Sequence, residues 1–135
     1  MTLTDAGPLV ALIDRGEADH QRCVAALRSL SAPLLTTWPA LTEAMCLLGD
    51  AGGWTPQDAL WRLVARRDLV LAELDETLVD RTRSLMEKYH DLPMDLTDAT
   101  LVAVAEARKL KRVFTLDGDF QVYRLKDRTA FKVIP

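Results

Sequence analysis

The chain has little of what most metal and nucleophile motifs are built from. Its 135 residues hold two cysteines and two histidines. Cys23 and Cys46 form no CxxC pair and have no histidine at ligand spacing, which argues against a zinc site and fits a reducing compartment. Both are expected as small core residues. His20 and His90 lie far apart with no partner nucleophile, so they are read as packing or surface groups. There is no GxxxxGK[ST] phosphate loop, no GxGxxG and no GxSxG elbow. No apolar run reaches the roughly 20 residues that span a bilayer, and the start carries Asp5 in place of a basic segment before an apolar stretch. A cytoplasmic protein is the expectation.

What remains is an ordinary composition, 49% apolar and 27% charged, suited to one domain over residues 1–135. The net charge of -3 and pI near 5.3 exclude a protein that holds nucleic acid by bulk electrostatics. That balance hides an asymmetry: residues 1–104 carry -7 and residues 105–135 carry +4.

Hydrophobic patterning predicts short strands separated by helices. Strands are expected over Met1–Thr4, within Pro33–Thr37, over Leu69–Leu71, Arg112–Leu116 and Phe131–Ile134. Helices are expected from Pro8, over about Glu17–Leu30 with Val24, Leu27 and His20 inward, and over Pro39–Leu48. Others are expected from a Thr55-Pro56 start to about Arg67, over Asp75–Tyr89 and over Asp95–Lys109. This alternation implies right-handed crossovers and a mostly parallel sheet covered on both faces, with ligands beyond the carboxyl ends of its strands.

That edge is where the acids fall. Asp5 ends the first strand, Asp117 and Asp119 follow the fourth, and Asp98 opens the helix that feeds it. Glu43, with Pro39, Ala40, Cys46 and Leu47 at helical spacing, is expected to project from an apolar stripe where an unpaired charge is costly. Asp95 and Asp98 together suit a helix start, and Asp117-Gly118-Asp119 also suits a turn. Jointly, carboxylates facing one pocket repel one another and call for a hard cation, and oxygen-only ligation suits Mg2+ or Mn2+. One ion or two about 3.5–4 Å apart are both compatible with phosphodiester chemistry.

The ordered segments Leu3-Thr4-Asp5, Pro8 to Asp14, Thr42-Glu43-Ala44, Leu96-Thr97-Asp98-Ala99 and Thr115-Leu116-Asp117-Gly118-Asp119-Phe120, with His20 in the second helix, resemble the PIN-domain ribonucleases. Within these the resemblance is to VapC toxins of bacterial toxin–antitoxin pairs, and it covers essentially the whole chain. It implies a three-layer αβα fold on a five-stranded parallel sheet and an Mg2+- or Mn2+-dependent endoribonuclease leaving a 5′-phosphate and a 3′-hydroxyl. Its principal catalytic positions would be Asp5, Glu43, Asp98 and Asp117, with Asp5, Asp98, Asp117 and the more variable Asp119 as metal positions. Asp95 would cap its helix and Thr115 would orient a carboxylate. Ala6-Gly7 stands where many members carry Ser or Thr, which removes a side-chain hydroxyl after Asp5.

RNA is expected to be held by Arg124 and Arg128, with Lys126 beside them and Tyr123 available to stack on a base. Arg108, Lys109, Lys111 and Arg112 fall at the opposite edge and read as a solvated helix end. Trp38, Trp54 and Trp61 are expected in the core, with an exposed groove for a partner helix as the sharper option. The resemblance also implies a VapB-like antitoxin covering such a groove, on a toxin homodimer. A PIN-like scaffold that binds RNA or protein without cutting is the alternative. A phosphoacceptor receiver is the other rival, weakened because Asp5 stands alone and Lys132 falls inside the last strand.

Overall fold

The computed structural model describes residues 1–135. The chain runs β1 (Thr2–Thr4), α1 (Ala6–Ile13), α2 (His20–Leu27), β2 (Leu34–Thr36), α3 (Trp38–Gly52) and α4 (Trp54–Ala65). It continues through β3 (Leu69–Leu71), α5 (Glu76–Lys88), α6 (Leu96–Arg108), β4 (Arg112–Phe114), a 3-10 turn at Gly118–Gln121, and β5 (Lys132–Ile134). The sheet is parallel throughout, in the order β3-β2-β1-β4-β5. The chain thus winds outward from β1 through β2 to β3, then returns to the other side of β1 for β4 and β5. The switch point lies between β1 and β4. A receiver domain has the order 2-1-3-4-5, so the topology excludes that rival.

Two apolar layers follow from the period-2 alternation of the strands. Leu3, Leu35 and Val113 face α5 and α6, with Leu85, Leu101, Val102 and Ala105 among their neighbours. Leu34, Leu69, Phe114 and Ile134 face the other way, onto Leu9 of α1, Leu41, Ala44 and Leu48 of α3 and Leu60 of α4. The arrangement is three-layered, helices on both faces of five strands. Threonines in the strands bury their hydroxyls at no net loss: Thr36 donates to the Thr4 carbonyl at 2.8 Å and Thr2 to the Ser31 carbonyl at 2.9 Å.

The strands are only three residues long, shorter than the sequence pattern suggests for β1, β4 and β5. Helix α2 begins at His20, and its buried residue is Cys23; Leu27 is 39% exposed and Val24 half-buried, which corrects the expected inner face. His20 has a packing role, its Nδ1 lying 2.7 Å from the Ala11 carbonyl oxygen and tying α2 to α1. Cys46 is exposed, not core. Helix α4 starts one residue before Thr55, because Gly53 at φ 70° ends α3 and turns the chain directly into Trp54. The three tryptophans are not core residues either: Trp38, Trp54 and Trp61 are 53%, 66% and 39% exposed.

Helices α5 and α6 are also joined by a bidentate ion pair. Arg81 Nε lies 2.7 Å from Glu106 Oε2 and Arg81 Nη2 3.0 Å from Glu106 Oε1, with the Glu106 side chain only 8% exposed. Glu106→Gln is expected to lower stability by about 1–3 kcal/mol, because the guanidinium keeps its desolvation and loses its charge partner. Urea denaturation measures this. A loss under about 0.5 kcal/mol would place the pair with ordinary surface bridges.

Candidate active site

Short strands deliver side chains to the carboxyl edge of the sheet with little slack. Asp5 is the first residue beyond β1, and its backbone N–H donates to the Phe114 carbonyl of β4 at 2.9 Å. It is also the N-cap of α1, so its carboxylate is held at both oxygens: Oδ1 accepts from Ala6 N–H at 2.7 Å and Oδ2 from the Thr115 hydroxyl at 2.8 Å. A hydroxyl thus reaches the Asp5 carboxylate from across the switch point. Thr115 Oγ1 also accepts the Asp117 N–H at 3.0 Å, fixing the exit from β4. Asp117 caps the 3-10 turn by accepting from Asp119 N–H at 2.9 Å.

Asp95 is the N-cap of α6, accepting from the Asp98 N–H at 2.8 Å, and Asp98 sits buried in the first turn. Asp98 Oδ2 accepts from the Tyr123 hydroxyl at 2.8 Å. Asp5, Glu43, Asp95, Asp98 and Asp117, with Gly7 and Leu116, line one cavity of about 220 Å³. Asp119 is outside that lining but completes a tighter group, in which one carboxylate oxygen each from Asp98, Asp117 and Asp119 fall within 4.8 Å of one another.

Glu43 reaches the cavity from the solvent side. The buried stripe of α3 is Ala40, Leu41, Ala44 and Leu48, while Glu43, Cys46 and Leu47 are exposed. The expectation of a carboxylate stranded on an apolar stripe is therefore corrected: residues three and four positions away share a helix surface without all being buried. The burdened carboxylates are Asp5 and Asp98. Burial pushes Asp98 up to about 8; the Tyr123 hydrogen bond opposes the rise, and the charges of Asp95, Asp5 and Asp117 add to it. Burial likewise raises Asp5 to about 6, against the Thr115 and Ala6 hydrogen bonds and with help from Glu43 and Asp117.

No lysine, arginine or histidine forms an ion pair with any of Asp5, Glu43, Asp95, Asp98, Asp117 or Asp119. Converging carboxylates without a protein cation, all oxygen donors, are the donor set of a hard divalent ion.

Three sequence expectations around this site change. Tyr123 is fully buried and bonded to Asp98, so it offers no face to a base. Arg124 directs Nη1 at the carbonyls of Gln121, Val122 and Tyr123, at 2.7, 3.0 and 2.9 Å, bracing the loop that follows the acids. Arg128 lies in a turn closed by its N–H donating to the Leu125 carbonyl, next to Asp127, which pairs with Lys111 at the start of β4. Because β5 is parallel to β4, the chain must cross to the opposite edge before β5 begins, and by Leu125 it has already done so. Arg128 and Lys126 thus sit with Lys111, away from the acids. The residue that sequence reasoning missed is Tyr123 as a partner of Asp98. Phe120, inside the 3-10 turn, and Tyr123, two residues past its end, are three apart and meet edge-on, and that spacing was the available signal.

A three-layer α/β sheet with a carboxylate pocket at its topological switch point defines the class. The chain belongs to the PIN-domain family, whose family model matches residues 2–126. It is 25% identical to Ribonuclease VapC26 of Mycobacterium tuberculosis (strain ATCC 25618 / H37Rv), over 98% of this chain and 99% of that protein. Among solved structures, VapC20 of Mycobacterium tuberculosis, described as a sarcin-ricin loop cleaving toxin, shares the fold at a TM-score of 0.85 and 19% identity over all of both chains. A chain from a toxin–antitoxin complex of Klebsiella pneumoniae does so at 0.69 and 18%, over 89% of this chain and 90% of that one.

Proposed function

We propose that this protein is a divalent-metal-dependent endoribonuclease, the toxin of a toxin–antitoxin pair, acting as one PIN domain in the cytoplasm. The observation that carries the chemistry is the pocket itself: carboxylates from β1, α3, α6 and the β4 exit converge with no protein cation among them. Mg2+ or Mn2+ would be held by Asp98, Asp117 and Asp119, with Asp5 at the same cavity. Such an ion, when bound, supplies Lewis-acid charge to a phosphodiester and lowers the pKa of a coordinated water.

The protein residues divide the remaining work. Asp5, clamped by Thr115 and Ala6 N–H, keeps a fixed orientation in the cavity. Glu43, at the solvent side, orients the attacking water and accepts its proton. Attack in line breaks the bond to the 3′-oxygen, which takes a proton from solvent, and gives a 5′-phosphate and a 3′-hydroxyl. Thr115→Val removes the donor to Asp5 and the acceptor for Asp117 N–H at almost constant volume. Cleavage is expected to fall about tenfold, one charge-assisted hydrogen bond of roughly 1.4 kcal/mol. Single-turnover rates check this, and wild-type speed would remove Thr115 from the site.

Two surfaces support the proposed partners. A groove of about 690 Å³ between α1, α2 and α4 is lined by Leu12, Ile13, Val24, Leu27 and Leu63 and rimmed by Arg15, which forms no ion pair, and by Arg62 and Arg66, which pair with Asp58 and Asp68; it suits an antitoxin segment with an apolar face and an acidic group for Arg15. The homodimer reading is supported by a second apolar hollow of about 730 Å³ over α5 and α6, with Val79 and Leu96 more than half exposed at it.

Purified protein on total RNA with Mg2+ or Mn2+, against chelator and an Asp98→Asn control, tests the activity. Metal-dependent cuts with mapped 5′-phosphate ends are expected. No cleavage with either ion would favour the non-cutting scaffold.

A further inference from the structure

Tyr123 enters the acid site without being an acid. Its ring is fully buried and its hydroxyl donates to Asp98 Oδ2 at 2.8 Å. The ring itself has almost no freedom. Phe120 and Tyr89 pack edge-on against it, each with a centroid 5.2 Å away. Its N–H donates to the Asp119 carbonyl at 3.1 Å, its carbonyl accepts from Arg124 Nη1 at 2.9 Å, and the Arg124 N–H donates to the Tyr89 hydroxyl at 3.0 Å.

Asp98 is different. Its backbone is fixed by the Asp95 cap, but an Asp side chain keeps a soft χ2, so of the two bonded groups the phenol is the fixed one and the carboxylate follows it. With Oδ2 occupied by Tyr123, Oδ1 is the oxygen with no protein donor. Asp98 is also one of the three carboxylates whose oxygens come within 4.8 Å of one another.

We propose that Tyr123 is a positioning residue: its hydroxyl sets the orientation of the Asp98 carboxylate so that one oxygen is presented to a divalent cation beside Asp117 and Asp119. This rests on reading the acids as the metal site of a nuclease. It gives the aromatic cluster after β4 a task beyond packing, since the turn that carries Asp117 and Asp119 also carries the group that aims Asp98. One short segment then sets all three carboxylates.

Tyr123→Phe removes only the hydroxyl and keeps the ring in its cage. Tyr89→Phe removes a hydroxyl that touches no acid and bonds only the Arg124 N–H, keeps its ring against Tyr123, and serves as the control for loosening the cluster. Mn2+ binding, followed by calorimetry in the absence of RNA, is expected to weaken at least tenfold in Tyr123→Phe and to stay within twofold in Tyr89→Phe. RNA cleavage should lose kcat with KM nearly unchanged. In an Asp98→Asn background, Tyr123→Phe should add no further loss of Mn2+ affinity.

Wild-type Mn2+ affinity in Tyr123→Phe overturns the assignment and leaves the nuclease reading intact. Equal weakening in Tyr89→Phe, or an additive loss in the double variant, overturns it as well, by making the effect one of packing. No Mn2+ binding by the wild-type protein removes the metal reading of the acids, and the role of Tyr123 with it.

Discussion

Asp98→Asn is expected to stop RNA cleavage and, in the metal-free protein, to strengthen the fold. The two effects have one cause. Asp98 is buried, holds its proton up to about pH 8, and is opposed by Asp95, Asp5 and Asp117. An Asn at this position still accepts from the Tyr123 hydroxyl and cannot ionise, so the fold loses a liability and keeps the hydrogen bond. Cleavage is expected to fall by roughly a thousandfold or more, about 4 kcal/mol of transition-state stabilisation. Stability of the metal-free protein at pH 8 is expected to rise by about 1–3 kcal/mol. Chemical denaturation and single-turnover assays on the same preparation measure both. An active folded variant would remove Asp98 from the chemistry, and a destabilised one would mean that its charge is compensated in the native state.

Metal-free stability should fall as pH rises, the reverse of the usual acid-denaturation slope. The carboxyls of Asp5 and Asp98 ionise near 3.8 in a free side chain but near 6 and 8 in the fold. Between about pH 4 and 8 the unfolded chain has released protons that the native protein still binds, so the native state is progressively disfavoured; above 8 the effect is complete and the slope flattens. Each retained proton contributes at most about 1.4 kcal/mol per pH unit. The same protons compete with a cation. Mn2+ uptake near pH 7 should therefore expel about one proton, which calorimetry in buffers of different ionisation enthalpy counts directly. At a hundred times its Kd, Mn2+ should add about 2.7 kcal/mol of stability. A metal-free stability that climbs from pH 5 to 8, or binding without proton release, would contradict the assigned burial of these two groups.

The edge that carries the site was legible because parallel α/β order puts all strand ends on one side. Once Asp5 and Asp117 were each placed after a strand, their neighbourhood followed from topology alone. The weight of each acid was less legible. Glu43 looked the most burdened because three- and four-residue spacing fixes a helix face without fixing how wide its buried stripe is, and that width depends on α1 and α4 packing beside α3. Asp98 looked like an ordinary first-turn acid; its burden comes from burial in the folded protein, with the charges of Asp95, Asp5 and Asp117 adding to it, while the hydrogen bond from Tyr123, 25 residues away in sequence, opposes it. Arg128 was misplaced for a similar reason. Its sequence distance from Asp119 is short, but the parallel pairing of β5 forces that segment to cross the sheet.

That crossing gives the molecule two electrical territories. Lys111 precedes β4 and Lys132 opens β5, Arg108 closes α6 with Lys109 next to it, and Lys126 and Arg128 return to the same rim, while the free carboxylates hold the other. The rims are separated by about the length of α6, roughly 20 Å for 13 residues, whereas ionic screening at physiological salt acts over about 8 Å. The basic residues of that rim therefore do little to soften the field inside the acid pocket. On the proposed function, an approaching phosphate meets the ionised carboxylates with little relief from that rim, and a diffusible ion would bring the charge that admits it.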